Sequence, residues 1–297
     1  MSPHGLVLTL IAGPGNARDL PDVVAALFRA LPVASAPDWL APGVACDLLL
    51  GGNDAPTAEG VARHAIGGAA IDVLVQPPSG RRKRVLVADL ESTIIENEML
   101  DELADFVGMR AHVAEITRRA MNGELDFAAA LAERVALLKG LPASVLDEAA
   151  KRIRLMPGAP SLLATLRAAG VRSALVSGGF TVFAEPVAAR LGFTRVAANR
   201  LDIAEGRIVG TVQAPIVDRD TKRDVLLAFA AENGVPPSAS LAVGDGANDL
   251  PMLDAAGLGI AFHAKSAVAA ASRRRIDHGD LTALLYAQGY RREEIVG

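Results

Sequence analysis

The 297-residue chain has little of what secreted, membrane-spanning and nucleic-acid-binding proteins depend on. Cys46 is its only cysteine, which excludes an intrachain disulfide and fits a reducing cytoplasm. No apolar run reaches the roughly 18 residues of a membrane span, and residues 1–5 lack the basic region of a signal peptide. With 4% aromatic residues and a net charge of −4, neither base-stacking surfaces nor a nucleic-acid partner is expected. We therefore expect a globular, cytoplasmic protein.

Residues 1–80 predict a small, separate α/β domain, since the chain is long enough for roughly two domains of about 150 residues. Strands are predicted at 6–11, 46–50 and 71–75, and helices at 19–31 and 58–65. The segment Gln76–Gly80 and the basic run Arg81–Arg84 follow. An anion-binding patch is one interpretation of the basic run, but composition favours a solvated linker.

Residues 81–297 predict a larger domain with a helical insertion. A strand at 85–90 is followed by helical spacing over about 96–155, which Gly108, Asn122-Gly123 and Gly140 interrupt. Further on, apolar strands alternate with helices; the strands are expected at 173–176, 196–198, 241–243 and 258–261, the helices at 161–169, 181–191 and 222–233, and a hairpin at 201–212. This order predicts a doubly wound parallel sheet with a helical cap inserted at about 96–155.

Polar residues follow three of the predicted strands. They are Asp89-Leu-Glu-Ser-Thr93, Ser177-Gly-Gly179 and Gly244-Asp-Gly-Ala-Asn-Asp249. Each motif alone has a purely structural interpretation as a turn or helix cap. Because parallel strands end at the same sheet edge, the three motifs are expected to converge on one crevice. Carboxylates delivered to the end of a buried strand are costly unless something binds them.

The residue types in this crevice indicate phosphoryl transfer. Asp89 and Asp245 offer the carboxylate oxygens that Mg²⁺ takes from proteins. Ser177 and the amide of Gly178, close to a predicted helix start, can donate to phosphate oxygens, and Lys222 adds a positive charge. A carboxylate nucleophile, here Asp89, can form an aspartyl-phosphate in such a site.

These motifs resemble those of the haloacid-dehalogenase-like phosphatases over about residues 83–270, and within them the phosphoserine phosphatases. The narrower resemblance rests on Glu98, on the segment Met121–Phe127, and on Arg134 with the residues to Lys139. It implies a Rossmann-type core with a helical cap and the hydrolysis of O-phosphoserine to serine, the last step of serine biosynthesis. It also implies that Glu98 meets the substrate ammonium, that Arg134 binds its carboxylate and that Asn248 orients phosphate.

The same resemblance assigns the metal and proton-transfer roles. Mg²⁺ would be held by Asp89, the backbone carbonyl of Glu91 and Asp245, with Asp249 further out. Glu91 would protonate the leaving oxygen and then activate water. The family usually has Asp at this position, so the extra methylene of Glu91 puts the rate or the leaving group in doubt, because a displacement of about 1 Å can cost on the order of 100-fold.

Other interpretations stay open at this stage. The substrate could be another small phosphate ester, such as phosphothreonine or a phosphohomoserine-like compound. Glu91 also leaves room for an attenuated regulatory or binding protein, although a dead site has no reason to keep Asp89, Ser177, Lys222 and Asp245. Phosphoserine phosphatases often carry a small ligand-binding ACT-like domain at this end, and residues 1–80 have a compatible β-α-β character but no motif. Regulation by an amino acid is one interpretation of these residues. The alternative is a stabilising module, or a dimerisation module that would make the chain a homodimer.

Overall fold

The computed structural model describes residues 5–15, 18–52, 54–122 and 124–297. Outside this part lie residues 1–4, where the sequence shows no basic region, and Gly123 of the expected cap segment. The chain divides into two compact units. The first comprises residues 1–83, 157–165 and 274–297, and the second comprises residues 84–156 and 166–273. In the described part of the chain, no helix has the length and apolar character needed to cross a membrane.

The first unit begins with a βαββαβ arrangement. Its elements are β1 (Leu6–Ala12), α1 (Leu20–Ala30), β2 (Asp38–Ala41), β3 (Ala45–Leu50), α2 (Ala55–Ile66) and β4 (Ile71–Gln76). The strands form an antiparallel sheet in the order β2-β3-β1-β4, a ferredoxin-like topology. All strands and helices expected between residues 6 and 75 are confirmed, and β2 is an addition.

Alternate residues of β1 face different surroundings, as the two-residue repeat of a strand requires. Leu8 and Leu10 belong to an apolar cluster with residues of α1 and α2. Thr9 donates to Asp47 Oδ1 at 2.6 Å, and Arg81 Nη1 lies 2.5 Å from Asp47 Oδ2. The Arg81 side chain is only 12% exposed. The expectation that the whole run 81–84 is a solvated linker is therefore wrong at Arg81, which pairs with a buried carboxylate.

The second unit contains a parallel sheet, which confirms the predicted α/β class. Its strands lie in the order β11-β10-β5-β6-β7, with β5 (Val85–Ala88) at the centre. The other bounds are β6 (Arg172–Phe180), β7 (Arg195–Asn199), β10 (Ser240–Gly244) and β11 (Leu258–Phe262). The helices of this unit outside the cap are α8 (Thr181–Leu191), α9 (Arg219–Glu232), α10 (Leu250–Ala255) and α11 (Ser266–Ala271), and α7 (Ala159–Ala168) contains the unit boundary at residue 165.

Two insertions extend this unit. The predicted helical cap consists of α3 (Met99–Asp105), α4 (Arg110–Met121), α5 (Phe127–Ala136) and α6 (Ser144–Ala150). The predicted hairpin consists of β8 (Leu201–Ala204) and β9 (Arg207–Val212). Glu102 stabilises the cap through ion pairs, because its carboxylate accepts hydrogen bonds from Arg110 at 2.9 Å and from Arg152 at 3.2 Å. These charged partners lower the pKa of Glu102 to about 2.

The first unit is completed by residues 274–297, which the sequence placed in the larger domain. They contain β12 (Arg275–Ile276) and α12 (Ala283–Ala287). Asp72 of β4 is buried and accepts the backbone N–H groups of Asp277 and Gly279, each at 2.7 Å. Hydrophobic periodicity identifies an apolar face but not the element that packs on it. The sequence therefore did not reveal that residues 274–297 belong to the first unit.

Candidate active site

Polar residues at the ends of three neighbouring strands meet in one pocket of the second unit. Asp89 follows β5, Asp245 follows β10 and Gly178 lies near the end of β6, and these strands are adjacent in the sheet. The convergence inferred from strand direction is thus observed. The pocket is lined by Asp89, Glu91, Glu98, Leu100, Phe127, Arg134, Gly178, Asp245 and Asn248.

Lys222 joins two carboxylates at the bottom of the site. Its side chain is fully buried, and its Nζ lies 2.5 Å from Asp89 Oδ1 and 2.7 Å from Asp249 Oδ1. Asp249 Oδ2 accepts the N–H of Gly246 at 3.0 Å. A Cβ at position 244 would lie 2.5 Å from that same oxygen, so only glycine leaves room for the Asp249 carboxylate. The first turn of α9, which carries Lys222, is hence fixed next to Asp89, the nucleophile expected from the sequence.

Lys265 is a site residue that the sequence did not reveal. Its Nζ lies 3.1 Å from Asp245 Oδ2, and the two form an ion pair. It is the third residue after the end of β11, the strand next to β10. Position just beyond a neighbouring strand was the signal that could have found it, because that edge of the sheet carries the other polar groups.

The three aspartates can hold a divalent cation. One carboxylate oxygen from each of Asp89, Asp245 and Asp249 lies within 4.8 Å of the others, and all three residues are buried. Burial is the main cause that raises the pKa of Asp89 well above its usual range and that of Asp245 to about 7. Within the described residues, the buried Asn248 Oδ1 has no hydrogen-bond partner. Three crowded carboxyl groups share only two lysines, and such a set of oxygen ligands suits a hard cation that takes the place of protons.

The Glu91 side chain is held in place and does not belong to this cluster of carboxylates. Glu91 Oε1 accepts the N–H of Met99 at 2.8 Å. A Cβ at Gly179 would lie 2.7 Å from Glu91 Oε2, which shows how closely the carboxylate packs on that glycine. Burial, and then the neighbouring Glu98, raise the pKa of Glu91 to about 8. A carboxyl group that keeps its proton near neutral pH can act as a general acid; the predicted metal contact through its backbone stays a prediction.

The two expected substrate-recognition residues line the same pocket. Glu98 precedes α3, and its Oε1 accepts from Ser92 Oγ at 2.7 Å. Ser92 adopts a φ of 53°, in the left-handed region, as the chain turns away from β5. Arg134 of α5 is 3% exposed, and its Nε donates to the Ala130 carbonyl at 2.9 Å. An anion and a guanidinium therefore lie in one pocket with Asp89.

The Ser177-Gly-Gly motif differs in detail from the expectation. β6 continues through it to Phe180, and α8 begins at Thr181. Ser177 Oγ accepts the Gly179 N–H at 2.9 Å, so this amide is already engaged. Asn199 donates to the Gly178 carbonyl at 2.8 Å. A Cβ at Gly178 would lie 2.5 Å from Phe127 Cζ, so a cap residue packs directly on this backbone.

Known proteins with similar sequences are hydrolases and phosphatases, in agreement with the chemistry of this pocket. Residues 86–254 match the haloacid dehalogenase-like hydrolases. Phosphoserine phosphatase SerB2 of Mycobacterium tuberculosis is 47% identical over 215 residues, 72% of this chain and 53% of that protein. The chain thus spans about half the length of this relative. Phosphoserine phosphatase of Lactococcus lactis is 47% identical over 203 residues, 68% of this chain and 94% of that protein.

A solved structure extends the similarity to three dimensions. It is a phospho-aspartyl intermediate analogue of phosphoserine phosphatase, with a TM-score of 0.67 and 36% sequence identity. The similarity covers 71% of this chain and 100% of that one.

Proposed function

Because the chain belongs to the haloacid dehalogenase-like hydrolase family, we propose that it hydrolyses O-phosphoserine to serine and phosphate through an aspartyl-phosphate. One observation carries the proposal: a single pocket holds Asp89, Glu98 and Arg134. Phosphoserine has a phosphate, an ammonium and a carboxylate. A nucleophilic carboxylate, an anion and a guanidinium are the groups that would meet them.

The reaction proceeds in two displacements. Asp89 attacks phosphorus, the bond from phosphorus to the serine oxygen breaks, and Glu91 gives its proton to that oxygen. Glu91 then removes a proton from water, which attacks the aspartyl-phosphate and releases phosphate, so that Asp89 is regenerated. The raised pKa of Glu91 supports the first of these roles.

Phosphate is held by the remaining polar groups. Ser177, the Gly178 amide, Lys222 and Asn248 are proposed to bind its oxygens, and the pairing of Lys222 with Asp89 supports this assignment. Asp89, the Glu91 carbonyl and Asp245 would hold Mg²⁺, with Asp249 behind them. When bound, Mg²⁺ neutralises charge on the phosphoryl group. Phe127 on Gly178 supports a role of the cap in excluding water.

The test is phosphate release from a panel of O-phosphoserine, O-phosphothreonine, phosphohomoserine and phosphoethanolamine. We expect the highest kcat/KM for O-phosphoserine, loss of activity on chelation and recovery with Mg²⁺. Arg134→Ala should remove the preference for phosphoserine over phosphoethanolamine, which lacks a carboxylate, whereas Arg119→Ala, on the exposed side of α4, should keep it. A different best substrate would replace phosphoserine in the proposal. No Mg²⁺-dependent release from any ester would favour a binding protein.

For the first unit we propose an ACT-like module that binds a small ligand or mediates homodimer formation, in a cytoplasmic protein without a nucleic-acid partner. The βαββαβ topology supports this. Turnover by the full chain with and without free serine tests ligand binding, and light scattering tests the dimer. Unchanged turnover together with a monomeric mass would leave only a stabilising role.

A further inference from the structure

A chain of hydrogen bonds links three cap helices to the pocket. Asp101 of α3 accepts from Thr117 Oγ1 of α4 at 2.9 Å. Thr117 Oγ1 accepts from Arg134 Nη1 of α5, also at 2.9 Å. A hydroxyl has one proton, so donating it to Asp101 leaves an oxygen lone pair for the guanidinium. With Nε bound to the Ala130 carbonyl, two of the three guanidinium nitrogens are fixed.

This restraint matters because two acidic side chains lie in the pocket with Arg134. Glu91 and Glu98 line the same pocket, and the ionised form of either one attracts the guanidinium. An unrestrained arginine would turn toward them and cover the groups assigned to proton transfer and ammonium binding. Thr117 is buried, with 4% exposure, and is not among the residues that line the pocket. Its hydroxyl therefore acts on Arg134 and not on a ligand.

We propose that Thr117, oriented by Asp101, is a positioning residue that holds Arg134 ready for the substrate carboxylate. The inference rests on the proposed function, because the carboxylate is what Arg134 would bind. Removing the hydroxyl frees one end of the guanidinium and leaves phosphate chemistry intact. The expected result is a defect specific to substrates that carry a carboxylate.

The experiment compares O-phosphoserine with phosphoethanolamine, which has the phosphate and ammonium but no carboxylate. Thr117→Val should lower kcat/KM for phosphoserine about tenfold, mainly through KM, since a hydrogen bond to a charged group is lost and ground-state binding weakens. The kcat/KM for phosphoethanolamine should change by less than about twofold, because this substrate has no carboxylate for Arg134 to bind. Thr117→Ser should restore phosphoserine turnover, and Thr165→Val, at another buried threonine, should affect neither substrate.

The two substrates together distinguish a positioning role of Thr117 from a purely structural one. An equal loss on both substrates, or failure of Thr117→Ser to rescue, would overturn the positioning role. If Thr117→Val melts far below the wild type, Asp101→Leu tests the same link from its other end and must show the same selective loss. A wild-type enzyme without preference for phosphoserine would contradict the proposed function and, with it, this role. A preference that survives both substitutions would overturn the positioning role alone.

Discussion

Among the described residues, buried carboxylates occur in both units, and in the second unit Asp89 and Asp245 line a pocket. In the first unit, Asp47 is matched by Arg81 and Thr9, and Asp72 accepts backbone N–H groups. In the second unit, one carboxylate oxygen from each of Asp89, Asp245 and Asp249 lies within 4.8 Å of the others, and these aspartates share two lysines.

The pKa does not separate these two groups. Burial raises the pKa of Asp72 as it raises that of Asp89. The difference lies in the balance of donors and acceptors. Asp72 is surrounded by donors that satisfy it, whereas the three aspartates at the pocket share only two lysines. Acidic groups that outnumber their cationic partners beside a cavity, and not burial, distinguish the site from the scaffold.

The sharpest test of this comparison is the same substitution in each unit. We expect Asp89→Asn to reduce turnover by about 10³-fold or more, because the nucleophile is gone, and to keep the fold. Asp72→Asn should keep turnover but cost about 1–3 kcal/mol of stability, since an amide NH₂ would face backbone N–H groups. Phosphate release and chemical unfolding measure the two effects. The comparison fails if Asp72→Asn abolishes turnover or if Asp89→Asn remains active.

Glu91→Asp asks whether the pocket is built for the longer side chain. We expect a loss of about 100-fold in kcat, because an Asp would reach neither the Met99 N–H nor the backbone of Gly179. Glu96→Asp, an ion-paired residue at the cap surface, is the matched control and should leave kcat unchanged. A gain in rate would mean that Glu91 attenuates the enzyme, and an unchanged rate would mean that the methylene is tolerated.

The smallest effect is expected at Glu102, a cap carboxylate with a full set of partners. Its folded-state pKa of about 2 lies below its ordinary value of 4.5. The charged form therefore stabilises the fold above pH 4.5, and this contribution disappears as the pH falls toward 2. Glu102→Gln should lower the unfolding free energy by roughly 1 kcal/mol at pH 6. Urea titrations should show the gap closing near pH 3; a constant gap would contradict the ion-pair origin.

Much of the second unit was predictable because its signals are local. Periodicity and glycine breaks located the cap helices, and strand direction brought Asp89 and Asp245 together. Thr117 could not be identified, since its role comes from neighbours on other helices. Lys265 was missed, although its position just beyond a strand could have indicated it. β2 was missed because it has only four residues, Asp38–Ala41, and an irregular register at Trp39. The roles assigned to the site residues remain predictions that the substitutions above test.

The hydrogen bonds that Asp72 accepts from the backbone of Asp277 and Gly279 have a consequence for synthesis on the ribosome. Asp72 and Asp277 are 205 residues apart. At about 5–20 residues per second, translation takes roughly 10–40 s to cross that interval. During this time the β-sheet of the first unit has emerged while a carboxylate that it will bury still lacks its partners. The first unit is therefore expected to reach its final packing only after the second unit's chain has been made, and until then the Asp72 carboxylate must be hydrated by water.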